Sequence, residues 1–149
     1  MRLLLGDCLD KLKELEDNSI DHIISDWPFF GVGKEDWDKQ WENLNEYLEW
    51  GRKIIIEYKR VVKDAGNIVI FTGRQYNRHI SQILDEYFTE KRIIIWSRKR
   101  AFNTSRGNAL SSGYEPISYY VNGDKGIFNP IKIKPKTNRK TKSPNTKTI

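Results

Sequence analysis

The sequence predicts an α/β protein, a mostly parallel sheet with helices on both faces. Three observations lead there. Short leucine-rich or β-branched runs alternate with segments whose apolar residues recur at helical spacing, and strands that alternate with helices join through crossovers. A chain of 149 residues with 38% hydrophobic and 31% charged content suits one domain with a sizeable core. Gly6-Asp7 and Asp26-Trp27-Pro28-Phe29 both fall at carboxyl ends of predicted strands, where open α/β sheets bind ligands.

The elements follow in order. Residues 2–6 are a short apolar run that predicts the first strand. Residues 8–15 place Leu9, Leu12 and Leu15 at helical spacing, and Asp17-Asn18-Ser19 turns the chain. Residues 20–25 predict the next strand, and 26–42 a polar loop containing Trp37 and Trp41. A long helix is expected from 43 to 62, with Leu44, Leu48, Ile55, Tyr58 and Val62 on or near one face. Lys63-Asp64-Ala65-Gly66-Asn67 closes it, with Gly66 suited to a left-handed cap. A buried strand over 68–72 precedes a helix over 76–87, where Ile80, Ile83, Leu84 and Tyr87 share helical offsets. The β-branched run 92–97 and the run 116–121 are the last strands, separated by a polar, glycine-containing loop over 98–114. Residues 1–128 read as the folded domain. Residues 129–149 are rich in Lys, Thr, Asn and Pro without apolar periodicity, and are expected to be a basic, disordered tail.

Composition excludes several classes. The opening apolar run meets Gly6-Asp7 too soon for a signal peptide, and no stretch suits a membrane span. The single cysteine, Cys8, excludes an internal disulfide and fits a reducing cytoplasm. His22 and His79 stand alone, so no metal site is expected. Charge is divided unevenly. Residues 1–90 hold 12 Lys/Arg against 18 Asp/Glu, a balance of −6, and residues 91–149 hold 14 against 2, or +12, which together give the net +6. Arg92, Arg98, Lys99, Arg100 and Arg106 lie in the folded part of the basic half, which suggests a face or tail for polyanions, nucleic acid first. A tail that only keeps the protein soluble is the alternative.

Asp26-Trp27-Pro28-Phe29 carries the most chemistry. A carboxylate at a strand end can share the two hydrogens of an exocyclic amine with a nearby backbone carbonyl, while an aromatic stacks on the ring, as flipped bases are read. Such an amine is a poor nucleophile because its lone pair is delocalised, and accepting both N–H bonds favours a more tetrahedral, electron-rich nitrogen. Asp26 and the Trp27 carbonyl would be the acceptors and Phe29 the stacking ring. Pro28 fixes its own φ and holds Trp27 extended. The same four residues also describe a plain Asp-x-Pro turn with two core aromatics. Gly6-Asp7 either brings a carboxylate to a cofactor or caps the helix near Cys8. Trp37 and Trp41 either wall a base pocket or pin the loop to the core, and Trp50 is expected to pack on the long helix.

Together these pieces resemble amino-group DNA methyltransferases, the N6-adenine and N4-cytosine enzymes, in the permuted (beta-type) order with the Asp-Pro-Pro-Tyr motif near the N-terminus. The resemblance runs through Gly6-Asp7-Cys8-Leu9, Asp17-Asn18-Ser19-Ile20-Asp21 and Ser25-Asp26-Trp27-Pro28-Phe29. It continues through Asp36-Trp37-Asp38, residues 59–66, Trp96-Ser97-Arg98 and Tyr114-Glu115-Pro116-Ile117, spanning about residues 2–128. It implies a Rossmann-like fold, S-adenosylmethionine as methyl donor, a restriction-modification setting and a base flipped from duplex DNA. By position Asp26, Trp27, Pro28 and Phe29 take the catalytic motif. Asp7 and Cys8 match the turn near the cofactor's adenosine, and Arg98, Lys99, Arg100 and Arg106 are candidate DNA contacts. Aspartate at 26 leans towards adenine.

Two departures shape the expectation. Trp27 replaces a proline, which removes the rigidity of a double proline and is expected to put an indole at the pocket mouth. The cofactor-binding Phe-x-Gly-x-Gly block, which follows this region in permuted members, does not occur. The resemblance therefore implies an incomplete sheet, with two strands absent between the one ending at Gly6 and the one ending at Ser25. Three readings remain: a methyltransferase whose second half is a separate polypeptide or was lost to truncation, a degenerate remnant that still binds DNA through its basic part, and an unrelated α/β binding module.

Overall fold

The computed structural model describes residues 2–31, 39–98 and 113–130. In chain order these form α1 (Cys8–Lys13), β1 (Ile20–Asp26), α2 (Leu44–Val61), β2 (Val62–Phe71), α3 (Asn77–Leu84), β3 (Thr89–Ser97) and β4 (Tyr114–Val121). Helix starts follow capping chemistry. Asn43 Oδ1 accepts the Glu46 amide N–H at 3.1 Å while Glu46 Oε1 accepts from Asn43 Nδ2 at 2.9 Å, which fixes the first turn of α2. No described helix is long and apolar enough to cross a membrane.

The strand order is β1-β2-β4-β3. β1 pairs with β2 in parallel, and β4 is antiparallel to both β2 and β3. Three strands thus share one direction, as strand–helix alternation predicts, because α2 and α3 are the crossovers between them. β4 alone opposes them, so the sheet is mixed. The carboxyl ends of β1, β2 and β3 and the start of β4 consequently meet at one end of the sheet, where Asp26 pairs with Phe71, Phe71 with Ile117 and Trp96 with Glu115.

All three described helices lie on one face. The core joins Ile54, Ile55 and Tyr58 of α2 and Ile80, Ile83 and Leu84 of α3 to Ile68, Ile70 and Tyr120 of the sheet, with Leu9, Leu12 and Ile23 packed against it. Helices on both faces were expected, and no described helix covers the other face. There Ile24 is 77% exposed, and Ile94 and Trp96 are also open to solvent.

Two further expectations change. Residues 2–6 form no strand: no described strand lies beside them, and Leu5 is 98% exposed. An apolar run without a ladder partner has nothing to hold it extended. The end of α2 also differs, because Val62 is its extended cap and Ala65, not Gly66, takes the left-handed backbone (φ 61°). Ala65 is held there by its N–H to Asn122 O (2.8 Å) and by Ile127 N–H to its own carbonyl (3.1 Å). Gly66 is needed for space: a Cβ there would lie 2.5 Å from Val62 Cγ2 and 2.9 Å from Asp21 O. Asn122, buried, donates to the carbonyls of Val62 and Lys63 and accepts from Lys59, tying the helix end to β4.

Candidate active site

A cavity of about 210 Å³ opens at the end of the sheet where the strand termini meet, lined by Asp26, Phe29, Phe71, Gly73, Trp96, Arg98, Glu115 and Pro116. β1 delivers Asp26 as its last residue. The ladder then continues one step, since Trp27 N–H donates to Phe71 O at 3.0 Å. This aims the next residues across the end of β2. Phe29 rests over Gly73, where a Cβ would meet its ring at 3.3 Å and where φ is +70°. Behind Gly73, the buried Asn77 side chain donates to Thr72 Oγ1 (3.1 Å) and Ser118 Oγ (2.7 Å), joining α3 to the floor.

The electrostatics single out Asp26. Its carboxylate accepts no hydrogen bond from a described residue, and partial burial at the cavity edge holds its carboxyl above the ordinary carboxylate value. On the opposite wall Arg98 pairs with Glu115 at 2.8 Å and stands 5.7 Å from the Trp96 ring centre. Trp96 meets Phe71 edge-on at 6.4 Å. The cavity therefore offers one acceptor without a described donor, three aromatic rings and a compensated ion pair.

The structure brings together Asp26, Phe29 and Arg98 of the sequence-predicted residues, with Arg98 engaged by Glu115 in the wall. Trp27 is the correction. Its indole does not stand at the mouth but is buried in the core (3% exposed), because Gly51 leaves room for it and Tyr58 accepts its Nε1–H at 3.4 Å. Pro28 belongs to the turn, with its carbonyl accepting from Tyr47 OH at 3.0 Å. Trp41 packs on Tyr47 and Trp50, which pins its end of the loop to the core. Trp37, Lys99, Arg100 and Arg106 lie outside the described residues, as does the expected tail from residue 131 onward.

Asp7 and Cys8 sit apart from this cavity, at the start of α1. Asp7 Oδ1 accepts the N–H groups of Leu9 (2.9 Å) and Asp10 (3.3 Å), so Asp7 does act as an N-cap. Its Oδ2 accepts no hydrogen bond from a described residue and stays available to a hydroxyl or amine. Cys8 is exposed. Among the described residues no cluster of His, Cys, Asp and Glu could hold a metal ion. Sequence reasoning missed Phe71 and Gly73 as lining residues. The signal was their place at the end of a third predicted strand, the same logic that singled out Asp26.

Comparison with known proteins agrees with this architecture. The DNA methylase family of the N6/N4 type matches residues 20–148. The type II methyltransferase M.HpaI of Haemophilus parainfluenzae is 38% identical over 112 residues, covering 71% of this chain and 34% of that protein. Among solved structures, PvuII DNA methyltransferase (cytosine-N4-specific) aligns with a TM-score of 0.68 at 16% identity, covering 82% of this chain and 49% of that one. TTHA0409 of Thermus thermophilus, complexed with S-adenosyl-L-methionine, aligns with a TM-score of 0.62 at 17% identity over 85% and 57%. The structural likenesses show the fold, and the chain spans a third to a half of the length of the curated relatives it matches. The family match takes in every described strand and the cavity at their ends, and the chain belongs to the N6/N4 DNA methylase family.

Proposed function

We propose that this chain supplies the base-handling part of a DNA amino-methyltransferase that moves a methyl group from S-adenosylmethionine to an exocyclic base amine, adenine N6 first. One observation carries the proposal: Asp26 stands, with no described donor, at the edge of a small aromatic cavity. A flat base with an amino group complements it. Asp26 accepts one N–H of the amine and the Trp27 carbonyl is the neighbouring acceptor. Phe29 stacks on the ring, a contact of roughly 1–3 kcal/mol in comparable sites. Partial burial of Asp26 strengthens its hydrogen bond to the amine once the base excludes water. Aspartate at position 26 favours adenine over cytosine by family tendency.

S-adenosylmethionine supplies the electrophilic methyl group when bound. The described residues fit such a donor on one side, with Asp7 Oδ2 able to take a hydroxyl or amine hydrogen. The remainder of that site is assigned to a further segment, in the same or a second polypeptide, with the Phe-x-Gly-x-Gly block. Support comes from β1, which pairs with β2 on one side and has no described strand on the other. The exposed Ile24 and Leu5 are apolar surface such a segment would bury. The basic half from Arg98 onward is assigned to the DNA backbone, with affinity that falls as salt rises.

Calorimetry tests this reading. S-adenosylmethionine is titrated into the chain, alone and mixed with the corresponding half of a relative. Saturable binding in the mixture, weakened by Asp7→Ala, is expected. No binding in either sample would remove the enzyme reading. DNA binding that still weakens steeply with salt would then leave a DNA-binding remnant.

A further inference from the structure

Trp27 occupies the position at which the Asp-Pro-Pro-Tyr motif has its first proline, and the structure shows what it does there. Its indole lies against the bare face of Gly51, where a Cβ would fall 2.8 Å from Cζ3. Trp50 and Tyr47 meet it edge-on, with ring centres at 5.1 and 6.5 Å. Nε1–H donates to Tyr58 OH at 3.4 Å, and Tyr58 OH donates to Ser25 Oγ at 2.7 Å. The backbone N–H of Trp27 donates to Phe71 O at 3.0 Å, a bond that proline cannot make. Tyr47 OH holds the Pro28 carbonyl at 3.0 Å. Residues 25, 27 and 28 are therefore fixed on both sides of Asp26, by α2 through side chains and by β2 through the ladder.

We infer that Trp27 is a positioning residue: its buried indole and its backbone N–H lock the catalytic turn to α2 and β2, doing by packing what a proline does by ring closure. The inference rests on the methyltransferase reading for its consequence and on geometry for its substance. Gly51 and Trp27 form a matched pair, since any side chain at 51 would clash with the ring. Tyr58 and Ser25 complete a hydrogen-bonded link from the core to the residue before Asp26. With both neighbours anchored, the Asp26 carboxylate keeps its place at the cavity edge, and its raised protonation midpoint reports that place.

The test uses the full chain with a ¹³C-labelled Asp26 carboxyl followed by NMR titration. Single-turnover methyl transfer is measured beside it in the mixture with the complementing half. Trp27→Phe keeps the N–H and most of the packing and is expected to leave the titration in place. Trp27→Pro is expected to lower the midpoint towards the ordinary carboxylate value. It should also slow methyl transfer by roughly 10²-fold, the scale of a misplaced reacting group, at unchanged DNA affinity. Val121→Ala, a buried change at the opposite end of the sheet, should lower stability without moving the titration. An unmoved titration in Trp27→Pro, or an equal shift in Val121→Ala, would overturn the inference. Should Trp27→Pro not fold, Tyr58→Phe answers the same question: a lowered midpoint supports the lock and an unchanged one overturns it. If even the unaltered mixture transfers no methyl group, the proposed function fails, while the titration still decides the role of Trp27.

Discussion

Replacing Gly51 by alanine sets two effects of opposite sign against each other. Gly51 lies inside α2, where glycine costs about 1 kcal/mol relative to alanine. On propensity alone Gly51→Ala should stabilise the chain by that amount. The added methyl, however, would lie 2.8 Å from Cζ3 and 3.2 Å from Cη2 of Trp27 and 3.4 Å from Ile80 Cδ1. The indole cannot swing aside, because Tyr47 and Trp50 wall it in and Tyr58 holds its nitrogen. Overpacking of this kind costs roughly 1–3 kcal/mol. The expected balance is a net loss of about 1 kcal/mol, or roughly 2–4 °C in Tm for a chain of this size. Thermal unfolding followed by circular dichroism measures it. In a Trp27→Phe background the smaller ring does not reach the new methyl, and the same change should stabilise by about 1 kcal/mol. A Gly51→Ala chain that melts higher with Trp27 in place would refute the packing of Trp27 against Gly51.

Other perturbations have defined outcomes. Asp26→Asn should raise the melting temperature at neutral pH while abolishing methyl transfer. The Asp26 carboxyl titrates above its ordinary value in the folded chain, so its charged form weighs against folding. No difference is expected below the ordinary carboxylate range, and the gain appears as pH rises through the folded midpoint; melts at two pH values check this sign. For the same reason, methyl transfer should decline on the acid side at a pH above the usual aspartate range. Gly73→Ala should cost about 1–2 kcal/mol because φ is +70° there, and should displace Phe29 and weaken binding of an adenine-containing duplex. Asn122→Ala should cost about 1–3 kcal/mol by leaving the buried carbonyl of Val62 and the part-buried carbonyl of Lys63 without their donor, as denaturant unfolding would show.

Most of this molecule could be read from residue spacing, and the exceptions share a cause. Helical periodicity placed α2 within a residue of its ends, because Asn43 and Glu46 announce its start and Leu48, Ile55 and Tyr58 its buried side. Strands β1, β3 and β4 were visible as apolar runs and β2 only in its second half, since residues 63–67 read as the turn closing α2, and Asp26 at the end of β1 marked the cavity. What could not be read depended on contacts distant in sequence. Ala65 is left-handed because Asn122 and Ile127 hold it, 57 and 62 residues on, so local preference pointed to Gly66 instead. Trp27 looked like an obstruction because nothing near it in sequence reveals the space at Gly51 or the hydroxyl of Tyr58. Arg98 has Glu115 beside it, a partner from the start of β4 that residue spacing does not show. The leucines of residues 2–6 predicted a strand from composition, but a strand also needs a neighbour.

Asp26 is proposed to accept one N–H of the base amine during methyl transfer, with the Trp27 carbonyl accepting the other. The most direct measurement is nucleoside mass spectrometry of duplex DNA incubated with S-adenosylmethionine, the chain and the complementing half, with Asp26→Ala in parallel. N6-methyladenine is expected with the unaltered chain and none above background with Asp26→Ala. Methylated amine at equal levels in both samples, or in neither, would contradict it.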